Sequence, residues 1–163
     1  MAAVVLAAGA STRYGGVKQR ELLPAVLTAL RETSVGEIVV VTGAHRLEVD
    51  DARVVACPDW ERGPGASLRC GLAALGKEVH RAVIVLADGP ELDRRAVDRL
   101  AAHSAPFAAA SYDGTRDHPV ALARSRFDDV PDEGLRVLDP VLVDCSDLRP
   151  PGDVDVRASA DRP

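Results

Sequence analysis

The sequence predicts an α/β fold in which an open, mostly parallel and twisted sheet carries helices on both faces, giving three layers. Short apolar runs alternate with helical patterns through the first two thirds of the chain. The runs are rich in β-branched residues and nearly continuous in apolar character, as strands buried on both faces of a sheet are. Aromatic residues are only 3% of the 163 residues, and alanine and valine supply much of the apolar share, which favours helices packed closely on a sheet.

Four of the apolar runs are predicted to be strands of this sheet, each bounded by Gly, Pro or Asp. They cover residues 3–7, 37–41, 53–56 and 82–86. Parallel strands are joined by helical crossovers, which are right-handed. We therefore expect ligands at the carboxyl ends of these strands.

Three helices are expected among these strands. The first is predicted to begin near Pro24, because proline suits the first turn of a helix. The second is predicted over residues 67–75 with Ser67 as its N-cap, and the third begins after the N-cap Asp93 and ends near His103. The residues predicted to face the core are Val26, Leu27 and Leu30, then Leu68, Leu72 and Leu75, and finally Ala96, Val97 and Leu100.

The pattern changes beyond residue 105. Strands are predicted at 107–112, 118–123 and 141–145, with short helical pieces at 125–128 and 133–138. We expect one strand of the sheet to be antiparallel to the rest. The chain is expected to form a single domain over residues 1–156, followed by a disordered tail over 157–163.

Charge and composition exclude several classes of partner. Twenty basic residues against 25 acidic ones give a net charge of −5, without a Lys/Arg run that could follow a phosphate backbone, so nucleic acid is not an expected partner. The apolar start breaks at Gly9, well short of the roughly 20 residues that span a bilayer, so no membrane partner is expected either. Cys57, Cys70 and Cys145 are scattered without a CxxC spacing. They suggest neither a disulfide framework nor a zinc site and fit a cytoplasmic location.

A glycine-rich loop follows the first strand and is the strongest candidate for chemistry. It reads Leu-Ala-Ala-Gly-Ala-Ser-Thr-Arg-Tyr-Gly-Gly-Val-Lys over residues 6–18. Its glycines allow backbone N–H groups to face an anion, and Arg13 and Lys18 add positive charge. The spacing matches neither a Walker A loop nor GxGxxG. Taken alone, the loop is either a phosphate cradle or a glycine-rich turn with two solvated cations.

Asp88 closes an apolar strand just before Gly-Pro, so its carboxylate is expected at the ligand crevice. Mg²⁺ prefers one or two carboxylates together with phosphate oxygens, and Asp155 is a candidate for the second. The alternatives are an ordinary turn residue at Asp88 and a solvated Asp155. His118 precedes proline and is either structural or a site residue, and Ser67 is either a simple cap or also places a helix N-terminus near a phosphate or ribose. The sequence lacks a Ser-His-Asp order and HExxH, which argues against a covalent hydrolase or a zinc enzyme.

The loop resembles the Leu-Ala-Ala-Gly-x-Ser-x-Arg-x-Gly-x-x-Lys signature of the MobA/MocA-like nucleotidyltransferases, which include molybdenum cofactor cytidylyltransferase and guanylyltransferase. Most of the chain agrees with that family in order. The further matching stretches are residues 38–43, 58–63, 67–72, 86–90, 118–120, 132–136 and 153–155. Cys57 stands where the family has asparagine, and Tyr14 where it usually has methionine.

The resemblance implies a nucleotide-diphospho-sugar transferase-like fold and a Mg²⁺-dependent enzyme. Such an enzyme transfers NMP from an NTP to a phosphorylated small molecule, here first molybdopterin, and releases pyrophosphate. Leu-Ala-Ala-Gly is more like the cytidylyl than the guanylyl branch, so CTP is the first nucleotide, with GTP and UTP as alternatives. The implied catalytic residues are Lys18, Arg13 and Asp88, the metal ligands are Asp88 and Asp155, and the acceptor contact is His118. The implied nucleotide-binding residues are Leu6, Ala7, Ala8, Gly9, Ser11, Lys18, Thr42, Gly43, Cys57 and Ser67.

The sequence departs from the family at three places. Roughly ten residues are missing between Lys18 and the first helix, where the family has a Gly-x-Pro-Leu turn. Gln-Pro after the metal-binding aspartate has become Gly-Pro, and Asp-Ile-Asp-Thr has become Asp-Val-Asp-Val. Two alternatives therefore stay open: a sugar-1-phosphate nucleotidyltransferase, and a catalytically inactive nucleotide-binding or interaction module.

Overall fold

A computed structural model describes residues 1–10 and 17–153 of the chain. Within them, seven strands form one sheet. The strands are β1 (Ala2–Ala7), β2 (Glu37–Thr42), β3 (Arg53–Ala56), β4 (Arg81–Leu86), β5 (Phe107–Tyr112), β6 (Thr115–Ala123) and β7 (Val141–Asp144). Their spatial order is β3-β2-β1-β4-β6-β5-β7.

The sheet is mixed but mostly parallel. β1 pairs in parallel with β2 and β4, β2 with β3, and β5 with β7, whereas β6 is antiparallel to both of its neighbours, β4 and β5. The predicted α/β class with one antiparallel strand is therefore confirmed. Because β6 runs in the opposite direction, its first residues lie at the same sheet edge as the last residues of β1 and β4. That edge is where ligands were expected.

Three α-helices cover the two faces of the sheet: α1 (Lys18–Arg31), α2 (Pro64–Ala74) and α3 (Arg94–Ala102). Apolar residues of α1 and α3 pack on one face together with Ala3 and Val5, and those of α2 pack on the other with Val4. This alternation along β1 gives the predicted three layers, because successive strand residues point to opposite faces. Among the described residues, no helix combines the length and the apolar character needed to cross a membrane.

The predicted start of the first helix is wrong by about two turns. Helix α1 begins at Lys18 and contains Pro24 in its interior. An interior proline removes one helical hydrogen bond, and the helix continues here because Leu23, Val26 and Leu27 are buried against the sheet. The preference of proline for a first turn holds instead at Pro64, the first residue of α2.

The N-cap assigned to Ser67 is also wrong. Gly63 is the N-cap of α2, so Ser67 is the fourth residue of that helix and only 4% exposed. The N-cap at Asp93 is confirmed, since its carboxylate accepts a 2.9 Å hydrogen bond from the Arg95 N–H. The short helical pieces are present as 3₁₀ turns at Arg124–Asp129 and Leu135–Val137.

The expectation of unpaired cysteines is wrong for two of the three. Cys57 and Cys70 form a disulfide, with their Cα atoms 5.8 Å apart. Cys57 follows β3 and Cys70 lies in α2, so the bond joins a strand end to the helix packed beside it. Cys145 is free and buried, and burial raises the pKa of its thiol. The pairing has no spacing motif, because the packing of α2 on the sheet brings the two residues together.

Candidate functional site

The carboxyl ends of β1, β2 and β4 lie side by side and define the floor of the candidate site. Leu6 is in register with Leu86 of β4, and Ala7 with Thr42 of β2. Just beyond the strands, the Ala87 N–H donates a 3.1 Å hydrogen bond to the Leu6 carbonyl. The start of the glycine-rich loop and the turn that carries Asp88 are therefore neighbours.

Lys18 and Asp88 form an ion pair at this edge. The Lys18 Nζ atom lies 2.6 Å from Asp88 Oδ2 and 3.7 Å from Asp153 Oδ1. The side chains of Lys18 and Asp88 are 13% and 24% exposed, whereas that of Asp153 is 62% exposed. The structure thus brings together two residues predicted as catalytic, and it adds Asp153, which the sequence did not single out over Asp155.

Asp153 reaches the site because the segment before it is fastened to the turn after β4. The Pro151 carbonyl accepts a 3.0 Å hydrogen bond from the Glu91 N–H. A Cβ atom added to Gly89 would lie 3.0 Å from Pro151 Cβ and 3.4 Å from the Gly152 carbonyl oxygen. Glycine at position 89, where the family that the sequence resembles has glutamine, therefore allows this close approach.

Four predicted site residues near β2 and α2 have partners inside the protein. Thr42 is 4% exposed, and its carbonyl accepts a 2.8 Å hydrogen bond from the Cys57 N–H. A Cβ atom on Gly43 would lie 2.5 Å from Trp60 Cγ and 2.8 Å from the Ala8 carbonyl oxygen, so only glycine fits there. Ser67 is buried in α2, and Cys57 is held in the disulfide.

Three further predicted residues, Ser11, Arg13 and Asp155, lie outside the described residues, as does the predicted tail over 157–163. Two residues that the sequence did not single out contact the loop. The Gln19 side-chain amide donates a 2.9 Å hydrogen bond to the Gly9 carbonyl, and His45 Nε2 lies 3.1 Å from the Ala10 carbonyl. Adjacency to Lys18 was the one available signal for Gln19.

A cavity of about 410 Å³ opens beside the ends of β1 and β4, on the α2 side of the sheet. Its walls are mainly apolar, and charged side chains lie on the β6 side and on the segment after residue 132. The lining residues are Leu6, Pro64, Leu68, Ile84, Leu86, Arg116, Asp117, His118, Val120, Glu133, Gly134, Leu135 and Arg136. The structure thus brings His118, the predicted acceptor contact, into a cavity that also contains Leu6.

His118 and Asp117 form the polar side of this cavity. The His118 N–H donates a 2.7 Å hydrogen bond to Asp117 Oδ1, and the ring atom Nδ1 lies 3.7 Å from the same oxygen. The His118 ring, and then the His118 N–H, hold the pKa of Asp117 below its ordinary value, while burial acts in the opposite direction. Asp117 is therefore a stable carboxylate near neutral pH.

Asp132 holds together the wall of the cavity that lies across from His118, which is formed by the start of α2 and residues 133–136. Its carboxylate accepts hydrogen bonds from the guanidinium groups of Arg69 and Arg62, and its carbonyl accepts a 3.0 Å bond from the Gly65 N–H. The bonds from Arg69 and then from Arg62 lower the pKa of Asp132. This part of the motif that resembles the nucleotidyltransferase family therefore ties the start of α2 to residues 130–135.

The donor set at Lys18 suits a hard divalent cation. Asp88 and Asp153 place two carboxylates around one ammonium group, and Mg²⁺ is commonly held by one or two carboxylates plus phosphate oxygens. No cluster of three or more His, Cys, Asp or Glu side chains suited to a metal occurs within the described residues. The residues thus fit an ion that would take most of its remaining ligands from substrate and water.

Comparison with known proteins supports the resemblance. The family model for the MobA-like NTP transferase domain matches residues 3–136. Among curated proteins, the chain is 34% identical over 131 residues to the bifunctional protein GlmU of Mycolicibacterium vanbaalenii. That match covers 68% of this chain and 27% of the relative, so the chain spans about a quarter of the length of that relative.

Two solved mycobacterial structures cover almost the whole chain. The first is a homologue of Rv0371c from Mycobacterium sp. strain JC1, with a TM-score of 0.79, 25% identity and coverage of 95% of this chain and 90% of that one. The second is Rv0371c of Mycobacterium tuberculosis H37Rv in complex with manganese. It has a TM-score of 0.73, 19% identity and coverage of 99% and 92%. The fold of this chain is thus shared over nearly its full length.

Proposed function

The chain belongs to the MobA-like NTP transferase domain family, and from that membership we propose that it transfers an NMP unit from an NTP to a phosphorylated small molecule, releasing pyrophosphate. The observation that carries this proposal is the Lys18 ammonium at 2.6 Å from Asp88, next to the end of the glycine-rich loop. A cation for phosphate and a carboxylate for a metal ion stand side by side at the ligand edge of the sheet.

CTP is the first nucleotide to test, and GTP and UTP are the alternatives. The Leu-Ala-Ala-Gly sequence over residues 6–9 is more like the cytidylyl than the guanylyl branch of the family. The backbone of these residues would face the base and ribose, with Ser11 and Arg13 following in the loop. Molybdopterin is the first acceptor to test, because family members use it.

Asp88 and Asp153 are the described residues that would hold Mg²⁺. The Rv0371c structure with manganese supports a divalent ion in this fold. A bound divalent cation would neutralise charge on the phosphates during transfer. Asp155 stays a candidate ligand, since it lies two residues from Asp153 in the same Asp-Val-Asp motif.

The proposed reaction needs no strong general base. A phosphate oxygen of the acceptor is already anionic at neutral pH and forms a bond to the α-phosphorus of the NTP. The bond between that phosphorus and the oxygen that bridges it to the β-phosphate then breaks, and pyrophosphate leaves. Lys18 exchanges its carboxylate partners for the phosphates and stabilises the charge on the leaving pyrophosphate. His118 and Asp117 would position the acceptor in the cavity beside Leu6 and Leu86.

The decisive experiment combines nucleotide binding with product formation. Isothermal titration with CTP, GTP and UTP, with and without Mg²⁺, identifies the nucleotide, and release of pyrophosphate is then measured with phosphorylated acceptors. We expect Asp88→Asn to abolish most Mg²⁺-dependent turnover while NTP binding without metal persists. Asp128→Asn, at an exposed position outside the residues that line the cavity, is the matched control.

Two outcomes would contradict the proposal. Wild-type turnover in Asp88→Asn at ordinary Mg²⁺ concentration would remove Asp88 from the mechanism. Absence of turnover in the wild type with every NTP, despite nucleotide binding, would favour an inactive binding module. Asp153→Asn and Asp155→Asn, compared at several Mg²⁺ concentrations, identify the second ligand as the variant that needs more Mg²⁺.

A further inference from the structure

Three successive peptide carbonyls at the start of the glycine-rich loop each accept a hydrogen bond from a different donor. The Ala8 carbonyl accepts from the Ala44 N–H at 3.1 Å, and the Gly9 carbonyl accepts from the Gln19 amide at 2.9 Å. The Ala10 carbonyl lies 3.1 Å from His45 Nε2. A carbonyl oxygen can only accept, so Nε2 of His45 carries the hydrogen in this contact.

These donors come from two separate elements. Gln19 lies in the first turn of α1, and Ala44 and His45 lie in the turn after β2. Gln19 is only 3% exposed, so its amide has been taken out of water to make contacts inside the protein. Gly43 allows the turn after β2 to come this close, because a Cβ there would collide with the Ala8 carbonyl oxygen.

Because the peptide bond is planar, these contacts with carbonyls also fix the direction of the N–H groups in the same peptides. In a planar trans peptide, the carbonyl of one residue and the N–H of the next point in opposite directions. The Ala8 carbonyl points toward the turn after β2, so the Gly9 N–H points away from that turn. The Gly9 carbonyl points toward α1, so the Ala10 N–H points away from α1. Within residues 1–10 and 17–153, neither of these N–H groups donates to a backbone carbonyl.

We propose that Gln19 is a positioning residue that orients the Ala10 N–H group toward the bound nucleotide, and that His45 supports it by holding the carbonyl on the other side of Ala10. They act through the loop backbone and do not touch the reacting atoms. This assignment rests on the proposed function, since it presumes that the loop binds an NTP. It adds that the affinity for the nucleotide is set partly by side chains behind the loop.

The test measures CTP affinity and turnover in matched pairs of variants. Gln19→Met keeps the length of the side chain and removes the donor, and His45→Leu does the same for the ring. We expect each to raise the Kd and KM for CTP by about threefold to tenfold, the effect of one lost hydrogen bond, with kcat changed by less than about twofold. His45→Gln restores a donor at similar reach and is expected to recover the wild-type KM.

The control variants alter side chains that also hydrogen-bond to the backbone, but at positions outside the glycine-rich loop and its contacts. Thr28→Val removes a 2.9 Å hydrogen bond to the Pro24 carbonyl in the same helix α1, and His103→Gln changes a histidine at the end of α3. Both are expected to leave KM unchanged. A merely structural role of Gln19 or His45 would lower the melting temperature without this selective rise in KM.

A measurement on the free protein separates this proposal from the proposed function. The ¹⁵N relaxation order parameter of the Ala10 amide, measured by NMR in the ¹⁵N-labelled full chain, is expected to be lower in Gln19→Met and His45→Leu than in the controls. An unchanged order parameter together with unchanged KM overturns the proposal even if the enzyme is active. If the wild type binds no NTP, the proposed function and this positioning role both fail.

Discussion

Lys18 is the residue on which the proposed chemistry depends, and it has two competing sets of partners. In the structure its ammonium group lies between the carboxylates of Asp88 and Asp153. A divalent cation would occupy much the same electrostatic position, and the phosphates of an NTP would attract the ammonium away from it. Metal and nucleotide should therefore bind more tightly together than either does alone.

Lys18→Met is the direct test of this competition. We expect it to weaken NTP affinity by about 1.5 to 3 kcal/mol, because a charged hydrogen-bonding partner is lost. In the absence of nucleotide, the same variant should bind Mn²⁺ more tightly than the wild type, because the ammonium no longer neutralises the carboxylates. Electron paramagnetic resonance of free Mn²⁺ measures this, with the exposed Arg20→Met as control. Equal Mn²⁺ affinity in all three proteins would contradict the competition.

At the scale of elements, the start of α2 and residues 130–135 form one wall of the cavity. Arg69 donates to both the Val130 carbonyl and the Asp132 carboxylate. A Cβ atom on Gly65 would lie 1.7 Å from the Pro131 carbonyl oxygen, and one on Gly134 would lie 3.1 Å from Pro64 Cγ. The close approach requires glycine at position 65, and the positive φ of 79° favours glycine at position 134.

Gly65→Ala is expected to force these two segments apart. The collision involves a backbone oxygen, which cannot move as a flexible side chain does, so we expect a loss of about 1 to 3 kcal/mol in the free energy of unfolding. Gly36→Ala is the control, since a Cβ there would meet only the Met1 carbonyl oxygen at 3.7 Å. Urea denaturation measures both variants. A stability like that of the control would show that the wall is not closely packed.

At the scale of the whole molecule, several carboxylates have lowered pKa values because arginines, a histidine ring, a serine hydroxyl and backbone N–H groups hold them. The clearest case joins α3 to the segment after β7, where Arg99 contacts both oxygens of Asp147 at 2.6 and 2.7 Å. The hydrogen bond with Arg99 lowers the pKa of Asp147 to about 2. Asp93, Asp117, Asp132 and Asp144 also have lowered pKa values.

These pKa values predict how stability depends on acid. A carboxylate whose pKa is lower in the folded than in the unfolded chain stabilises the fold above about pH 4, its unfolded pKa. That stabilisation is lost as the pH falls toward 2, so the free energy of unfolding should decrease over this interval. Asp147→Asn should make the decrease less steep, and Arg99→Gln should have the same effect. Thermal unfolding at pH 2, 3, 4 and 7 measures this, and an unaltered pH slope in both variants would contradict the assignment.

Much of the fold was predictable because buried strands and amphipathic helices leave strong patterns. The strands at 37–42 and 53–56 were found nearly to the residue, since their apolar character ends sharply at Gly, Pro or Asp. Helix α1 was not placed correctly, because an interior Pro24 is tolerated only when tertiary packing compensates for it. The sequence carries no sign of that compensation.

The location of Lys18 and Asp88 was predictable, whereas their roles stay predictions. Both were expected at the ligand edge of the sheet, and they lie in contact there because both follow strands whose ends are adjacent. The contacts of Gln19 and His45 were not predictable, since they are made to backbone carbonyls at separations of 10 and 35 residues. Asp153 and Asp155 belong to the same Asp-Val-Asp motif, and the motif carries no sign that the attachment of Pro151 to Glu91 brings Asp153 to Lys18.

The insertion of β6 between β4 and β5 has a consequence for synthesis on the ribosome. Strand β5 is buried throughout, yet its strand partners among the described residues, β6 and β7, both come later in the chain. The two-residue turn at Asp113 and Gly114, with both φ angles positive, brings β6 back at once as a hairpin. The nascent chain can therefore bring Lys18 and Asp88 together first, and the cavity lined by Leu6 and His118 exists only after this hairpin and residues 133–136 have emerged and packed beside β4.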